Sequence, residues 1–298
     1  MRAVWSLWSK PLANGNHPGW YTDRHHLLSW ILSFELARRH YQETVLITDD
    51  CGAALLVDGL GLEFGSVSLE LNALADHDPN LWAIGKLYAY ECQRAPFVHI
   101  DNDVFLWERL PPELERASVI AQSPEYVPYG GGFYRPESIE YAIHRHGGWM
   151  PETFESYMPI SGIIKAENCG IMGGCRTDFI RHYASETIRF IEHPDNHAVW
   201  RSRPQLDQDM VLFEQLMLSA CVAFHHGRPG SPYADISMSY LFSGHEDALE
   251  RADACGYTHM LASAKRDPDL AAHLERTVSQ LYPQSYLRCI ENLAARTI

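Results

Sequence analysis

Short apolar runs alternate with longer amphipathic stretches through the first hundred residues, as strands alternate with helices in α/β proteins. Residues 3–8, 44–48 and 97–100 are short and apolar, so they predict buried strands. Between them, residues 23–40 and 81–93 predict helices. Because strands and helices follow one another in this order, we predict an α/β fold with a mainly parallel sheet covered by helices.

The helix predicted over residues 23–40 has the clearest periodicity in the chain. Asp23 is a residue type that caps helix starts. The apolar side chains that share one helical face are Leu27, Leu28, Ile31, Leu32 and Leu36. This spacing predicts a helix that packs that face against the sheet.

The pattern changes in the second half of the chain. Residues 128–159 contain five glycines, several prolines and many aromatic side chains, with one short helix predicted at 138–144. A long irregular segment inside a domain is usually functional or mobile. The elements predicted beyond it are strands at 161–165 and 169–172 and helices at 177–192 and 205–220. No stretch has the composition of a linker, so we predict one domain over residues 1–298.

An Asp-x-Asp motif, Asp101-Asn102-Asp103, directly follows the third predicted strand. On an extended backbone the two carboxylates point to the same side. They could therefore bind one divalent cation, Mn²⁺ or Mg²⁺, and leave positions open for phosphate oxygens. Such a cation stabilises a leaving diphosphate. Most Asp-x-Asp triplets are solvated turns, but the position after a buried strand favours a metal site.

Net charge limits the class of ligand, and cysteine content indicates the cellular compartment. The chain has 24 Lys and Arg against 38 Asp and Glu, a net charge of −14, which disfavours nucleic acid as a ligand. A nucleotide diphosphate would need a cation or a few placed lysines. Seven scattered cysteines without a CxxC predict free thiols in a reducing cytoplasm. No signal-peptide pattern and no apolar run long enough to span a bilayer are present in the sequence.

Around the Asp-x-Asp motif the sequence resembles glycosyltransferase family 8, a group of GT-A enzymes. The matching landmarks, in family order, are Lys86, Asp101-Asn102-Asp103, Asn168-Cys169-Gly170, Asp207-Gln208 and the pair His259 and Lys265. The chain is also similar to an uncharacterised bacterial group with the signature PF-HID-DVF. The resemblance implies a GT-A fold, which is a Rossmann-like mixed sheet flanked by helices. It also implies a nucleotide-sugar-binding half, residues 1–125, and an acceptor, metal and diphosphate half, residues 126–298.

The resemblance implies a role for each landmark. The implied ligands of Mn²⁺ or Mg²⁺ are Asp101, Asp103 and His259. The implied contacts of a nucleotide-sugar donor, taken to be a UDP-sugar, are Lys86, Asn168 and Lys265. The implied catalytic residues are Asp207 and Gln208, beside the sugar. Family 8 retains anomeric configuration, so retention is implied too. The acceptor, whether glycan, peptide or small molecule, stays unidentified.

Several of these residues have an ordinary alternative. His259 alone would be taken for a core or surface histidine, and Lys86 for an exposed helix lysine. Asp207 suits a helix amino-terminus. Asp49, after the second strand, could bind ribose or base, or cap the next helix. Gly173-Gly174 favours a tight turn over a phosphate loop, because no phosphate-loop spacing is present.

The other histidines and aromatic residues divide into those with a structural interpretation and those that are candidates for binding an acceptor. The pairs His25-His26 and His225-His226 lack metal-ligand spacing and are interpreted as surface or loop residues. The tryptophans predicted to lie in the core are Trp5, Trp8, Trp82 and Trp107. The aromatic residues predicted to stack on an acceptor are Tyr126, Tyr129, Phe133, Tyr134 and Trp149.

Two departures from the family pattern and two rival functions remain open. Ala262 stands where the family has glycine, and residues 7–10 lack the acidic nucleotide-binding pattern. A haloacid-dehalogenase-like phosphatase would also use Asp101 and Asp103, but it wants Thr or Val where Phe105 stands. The second rival is a non-catalytic nucleotide-sugar-binding protein.

Overall fold

The computed structural model describes residues 1–15, 19–131, 134–158 and 162–295. Two compact units interleave along the sequence. Unit 1 comprises Met1–Pro79, Val98–Leu110 and Arg251–Ile298, and unit 2 comprises Asn80–Phe97 and Pro111–Glu250. The single domain expected from the sequence stays a prediction.

The strands are β1 (Arg2–Leu7), β2 (Thr44–Thr48), β3 (Ser66–Ser68), β4 (Phe97–Ile100), β5 (Val104–Leu106), β6 (Val119–Pro128), β7 (Ile163–Gly174), β8 (Met238–Tyr240) and β9 (Tyr257–His259). The helices of the first half are α1 (Ser9–Ala13), α2 (Asp23–Ala37), α3 (Asp50–Ala53), α4 (Ile84–Glu91), α5 (Pro112–Glu115) and α6 (Pro136–His146). Those of the second half are α7 (Glu152–Tyr157), α8 (Thr177–Glu192), α9 (His197–Arg201), α10 (Leu206–Val211), α11 (Met217–His225), α12 (His245–Arg251), α13 (Pro268–Leu281) and α14 (Pro283–Ala294).

Unit 1 is built on strands in the order β3-β2-β1-β4. β1 pairs with β2 in parallel, with Val4 opposite Val45, and β2 pairs with β3 in parallel. β1, β2 and β4 are buried almost throughout, which explains why their apolar runs were recognisable in the sequence. The separate strands β5 and β9 pair antiparallel.

Helix α2 corrects the expectation of a single buried face. Every side chain from His25 to Ala37 is buried, including Glu35, so the helix is enclosed on all sides. Thr22, and not Asp23, occupies the capping position, without a side-chain cap. The indole N–H of Trp5, in β1, donates to Ser33 Oγ of α2 at 3.0 Å, so this buried polar group has a partner.

Unit 2 carries the strand order β7-β6-β8. β6 pairs antiparallel with β7 and in parallel with β8. The sequence predicted two short strands where the structure has the single strand β7. At its end, Gly174 has φ +137°, and a Cβ there would lie 2.2 Å from the Ser118 carbonyl oxygen. The glycine therefore serves a tight turn into α8, as its sequence context favours.

The helix predicted over residues 205–220 is longer and less regular than expected. α10 continues through a π-helical stretch, Leu212–Leu216, into α11, which ends at His225. α8 matches its predicted range of 177–192. Among the described residues, no helix is long and apolar enough to cross a membrane.

The predicted α/β class, with a mixed sheet and covering helices, is confirmed. Unit 1 supplies parallel pairing and unit 2 supplies both kinds. Helices alternate with strands over most of the chain, which is what favours parallel pairing.

Candidate metal centre

The pairing of β5 with β9 positions the Asp-x-Asp motif. His259, the last residue of β9, lies opposite Val104, the first of β5. The Met260 N–H donates to the Asp103 carbonyl at 2.9 Å and continues this pairing past the strand end. Two segments more than 150 residues apart are thereby fixed side by side, and His259 comes to lie beside Asp103.

Three side chains converge at this point. One potential ligand atom each from Asp101, Asp103 and His259 lies within 4.8 Å of the others. His259 Nε2 is 3.5 Å from Asp103 Oδ1. Lys265 Nζ is 2.5 Å from Asp103 Oδ2, so the ammonium occupies the other carboxylate oxygen.

The electrostatics of the cluster favour an ionised Asp103. Burial raises the pKa of its carboxyl, but the His259 imidazole and the Lys265 ammonium outweigh burial, and the pKa lies well below its usual range. Asp103 Oδ1 is buried and is separated from His259 Nε2 by more than a normal hydrogen-bond length. Two carboxylates and one imidazole suit Mn²⁺ or Mg²⁺, and the residues present fit such an ion.

A second layer of residues holds the motif. Ser33 Oγ donates to the Asp101 carbonyl at 3.1 Å, and Asn102 donates to Ser29 Oγ at 2.9 Å. Both serines belong to the enclosed helix α2, so a rigid element supports the turn. The side chain of Asn102, the central residue of the motif, is therefore bound to α2 and has a structural role.

His99 is a site residue that the sequence analysis missed. It is 1% exposed, its Nδ1 lies 3.5 Å from Asp101 Oδ1, and its Nε2 lies 2.9 Å from Ser6 Oγ. His99 and Asp101 are two residues apart, so on an extended backbone they share a side. A histidine inside an apolar strand, two positions before the motif, was the signal that could have found it.

Ala262, which stands where family 8 has glycine, has a backbone conformation that favours glycine. It is the one non-glycine residue with positive φ in the described part of the chain, at +42°. A Cβ in this left-handed region costs about 1–2 kcal/mol. It opens the 3₁₀ turn Ala262–Arg266, which carries Lys265. The backbone thus keeps a glycine-like geometry without glycine.

Lys265 is fixed by its surroundings as well as by Asp103. Its carbonyl accepts the Tyr21 N–H at 2.8 Å, and its ammonium lies 5.7 Å from the centre of the Trp20 ring. A cation at this distance from an indole is attracted by the ring face.

Asp49 uses its carboxylate within the protein. Its Oδ1 accepts the Gly52 N–H at 2.7 Å and so caps α3. Its Oδ2 accepts the N–H and the hydroxyl of Ser9, each at 2.9 Å. The capping alternative therefore accounts for its contacts, and donor binding by Asp49 stays a prediction.

The landmarks of unit 2 lie in a different setting. Lys86 pairs with Glu214 at 3.1 Å, and Glu214 is 1% exposed and also accepts the Tyr90 hydroxyl at 2.6 Å. Asn168 is buried in β7 and donates to Glu125 at 2.7 Å. Both polar groups are engaged by protein partners.

Asp207 and Gln208 lie in the first turn of α10. The capping residue is Gln205, so Asp207 is not the cap, and its carbonyl accepts the Trp82 indole N–H at 2.7 Å. Gln208 lines a pocket of about 260 Å³. The other residues around it are Tyr134, Arg135, Gln205, Asp209, Val211 and Leu212. Asp209 is held there by Arg203 Nη2 at 2.6 Å.

The aromatic residues predicted to stack on an acceptor differ in their surroundings. Tyr134 lines the pocket and donates to Glu125 at 2.5 Å, whereas Trp149 stacks on His193 with ring centres 4.7 Å apart. Tyr126 is exposed, and Tyr129 donates to Glu140. Phe133 lies outside the described residues.

The expectations for four background residues were wrong. His25, His26 and His225 are buried, not surface residues. Trp107 is 38% exposed and so does not lie in the core, unlike Trp5 and Trp8. Each buried histidine has a nearby polar partner, such as Thr22 Oγ1 for His25 at 2.7 Å, and this pairing makes burial possible.

Comparison with known proteins gives a family but no activity. The chain belongs to a family of unknown function, DUF6734, whose family model matches residues 1–292. No curated protein matches the sequence. One similar solved structure is the galactosyltransferase LgtC in complex with donor and acceptor sugar analogues. The two sequences are 13% identical, and the alignment covers 92% of this chain and 96% of the LgtC chain. The TM-score is 0.37.

Proposed function

We propose that this protein is a metal-dependent glycosyltransferase with a GT-A fold, using a nucleotide-sugar donor, with UDP-sugars the first candidates. The observation that carries the proposal is the convergence of Asp101, Asp103 and His259, with Lys265 beside Asp103. Two carboxylates and an imidazole would bind Mn²⁺ or Mg²⁺ with positions open for phosphate oxygens. A cation so bound supplies Lewis-acid stabilisation of the departing diphosphate.

The chain's own residues have distinct roles in this proposal. Asp103 is ionised and buried, so it is prepared to receive a cation without first losing a proton. Lys265 balances its charge in the absence of a ligand. With a cation held at Asp103, the Lys265 ammonium would be able to contact the diphosphate of the donor, where it would stabilise the charge that develops as the sugar leaves.

The remaining assignments rest on the resemblance to family 8. Lys86 and Asn168 are proposed donor contacts, and Asp207 and Gln208 are proposed to face the sugar. Gln208 is the proposed catalytic amide, because an amide stabilises charge without competing for protons. We further propose retention of anomeric configuration, with the departing diphosphate helping to deprotonate an acceptor of unidentified class.

A thermal-shift panel of nucleotide sugars with and without Mn²⁺ tests the proposal. A ligand selective for the native state raises the melting temperature. We expect at least one nucleotide sugar to do so in Mn²⁺ and none in EDTA, with slow release of the nucleoside diphosphate. Asp103→Asn should abolish the shift, while Asp76→Asn, the same charge change at an exposed position, should not. Equal binding in EDTA, or hydrolysis of simple phosphate monoesters through Asp101, would contradict it.

A further inference from the structure

Three hydrogen-bond donors of unit 1 lie around residues 19 and 20, beside the candidate metal centre. They are the indole N–H of Trp20, the ammonium of Lys265 and the guanidinium of Arg266. The ammonium lies 5.7 Å from the centre of the Trp20 ring and 2.5 Å from Asp103 Oδ2. Lys265 therefore connects the Trp20 ring to the carboxylate that is the central ligand of the candidate metal centre.

The indole N–H of Trp20 is a buried donor without an acceptor. Its Nε1 is shielded from solvent, and within the described residues it has no hydrogen bond. Two other indole N–H groups of unit 1, those of Trp5 and Trp107, donate to Ser33 Oγ and Thr258 Oγ1. Buried tryptophan N–H groups usually have such a partner, because an unsatisfied buried donor destabilises the fold. The exception at Trp20 indicates an acceptor that the chain does not itself supply.

Arg266 is a second donor that the protein leaves without a partner. Among the residues that the structure describes, its guanidinium makes no hydrogen bond and no ion pair. The carboxylate of the next residue, Asp267, accepts the N–H groups of Asp269 and Leu270 and so caps α13. An arginine without a carboxylate partner is available to an anion, and its planar guanidinium suits the oxygens of a phosphate.

The backbone brings Arg266 close to Trp20. The Tyr21 N–H donates to the Lys265 carbonyl at 2.8 Å, so the segment after Gly19 runs alongside the turn that carries both cations. Gly19 has φ +75°, and a Cβ there would lie 3.7 Å from Arg266 Nη2. A longer side chain would meet the guanidinium, and the left-handed backbone itself favours glycine. Glycine thus leaves space for Arg266 next to Trp20.

The three donors together favour an anion with several oxygens. In a chain with a net charge of −14, two adjacent cations beside an unsatisfied N–H differ from the rest of the surface. A diphosphate has oxygens on two phosphorus atoms, so it can contact several donors and a metal ion at once.

We propose that Trp20 and Arg266 bind the diphosphate of a nucleotide-sugar donor together with Lys265, and this assignment rests on the proposed function for the identity of the anion. Trp20 donates through its indole N–H, and Arg266 donates through its guanidinium. Neither residue is among the family 8 landmarks. Both are binding residues, so their loss weakens affinity for the diphosphate.

Calorimetric titration with inorganic diphosphate and with UDP, each with Mg²⁺, tests the proposal. Trp20→Phe keeps an aromatic ring but removes the N–H, and Arg266→Gln removes the charge. We expect each variant to bind both ligands about 10-fold more weakly or worse, the loss typical of one hydrogen bond to a charged group. The matched controls are Trp107→Phe, whose N–H already has a partner, and Arg276→Gln at an exposed position of α13. Both controls should bind as wild-type protein does.

The outcomes separate this proposal from the glycosyltransferase proposal. Unchanged affinity in either variant would overturn the role of that residue and leave the proposed function standing. Weaker diphosphate binding by both variants, in a protein that binds no nucleotide sugar, would support the anion site and contradict the proposed function. No binding of either ligand to wild-type protein would overturn the anion site, while the nucleotide-sugar panel decides the proposed function separately. Circular dichroism verifies that the variants are folded.

Discussion

The metal cluster of unit 1 and the Lys86 region of unit 2 both contain buried carboxylates, but the groups that surround these carboxylates differ. In unit 1, Asp101, Asp103 and His259 bring acceptor atoms toward one another at the end of a strand. In unit 2, the buried carboxylate of Glu214 is satisfied by Lys86 and Tyr90, both from the protein itself. Asp103 also has a protein partner, Lys265, but three metal-ligand atoms held close together favour an added cation. A carboxylate with two protein partners and no neighbouring ligand group favours a structural role.

The largest effect that we expect is a loss of stability on substitution of Glu214. Glu214→Gln leaves the Lys86 ammonium without its buried partner, and breaking a buried ion pair costs about 3–5 kcal/mol. Since the Lys86 side chain is 18% exposed, we expect the lower end, a loss of about 3 kcal/mol in urea unfolding. Glu250→Gln, at an exposed helix position, should change stability by less than about 0.5 kcal/mol. A loss below 1 kcal/mol at Glu214 would mean that this pair is not structural.

Gln208 differs from Lys86 and Asn168 of unit 2, because its side chain lines a pocket. If its amide acts in the transition state, Gln208→Ala should lower kcat by about 100-fold, which is typical of one lost stabilising donor, while donor affinity changes little. Steady-state kinetics and donor titration in Mn²⁺ measure the two effects. Gln205→Ala, at the same pocket, is the control. Equal losses in kcat and affinity would assign Gln208 to ground-state binding instead.

His99 tests whether the cluster depends on its supporting residues. His99→Phe preserves an aromatic ring in the buried position but removes the nitrogen near Asp101 Oδ1. We expect Mn²⁺ affinity to fall by about 10-fold, the lower end for a supporting group. His99→Gln, which retains hydrogen-bonding atoms, should restore part of it. Titration of both variants by calorimetry checks this, and unchanged Mn²⁺ affinity in His99→Phe would show that His99 serves only packing.

The smallest predicted effect is a gain in stability at Ala262. Relief of the left-handed conformation by glycine is worth about 1–2 kcal/mol, and the extra chain entropy of glycine offsets about 0.5–1 kcal/mol. Ala262→Gly should therefore stabilise the protein by about 0.5–1 kcal/mol in chemical unfolding. The same substitution at Ala272, exposed within α13, should destabilise by about 1 kcal/mol. A loss at both positions would mean that Ala262 is not strained.

Elements with a simple local sequence pattern were predicted more accurately than the others. β2 and β4 match their predicted ranges because parallel strands buried on both faces are continuous apolar runs. β7 was predicted as two strands because Glu167 and Asn168 interrupt its apolar run. Glu167 Oε1 accepts the Ser219 hydroxyl and pairs with nearby Lys165, and Asn168 donates to Glu125. Ser219 and Glu125 are distant in sequence, so a local pattern does not reveal them.

The candidate site shows the same limit. Asp101 and Asp103 could be found from a motif, but no local signal places His259 beside them. Its position depends on the pairing of β5 with β9, and the resemblance to family 8 anticipated it.

Calorimetric titration with Mn²⁺ and a UDP-sugar tests whether the Asp101, Asp103 and His259 cluster is a metal centre for a nucleotide sugar. We predict that wild-type protein binds the donor only when Mn²⁺ is present. Asp103→Asn and His259→Ala should both lose at least about 100-fold of that metal-dependent affinity, while Asp76→Asn keeps it. Donor binding of equal strength in EDTA, or undiminished in Asp103→Asn, would contradict the claim that this cluster is a metal centre for a nucleotide sugar.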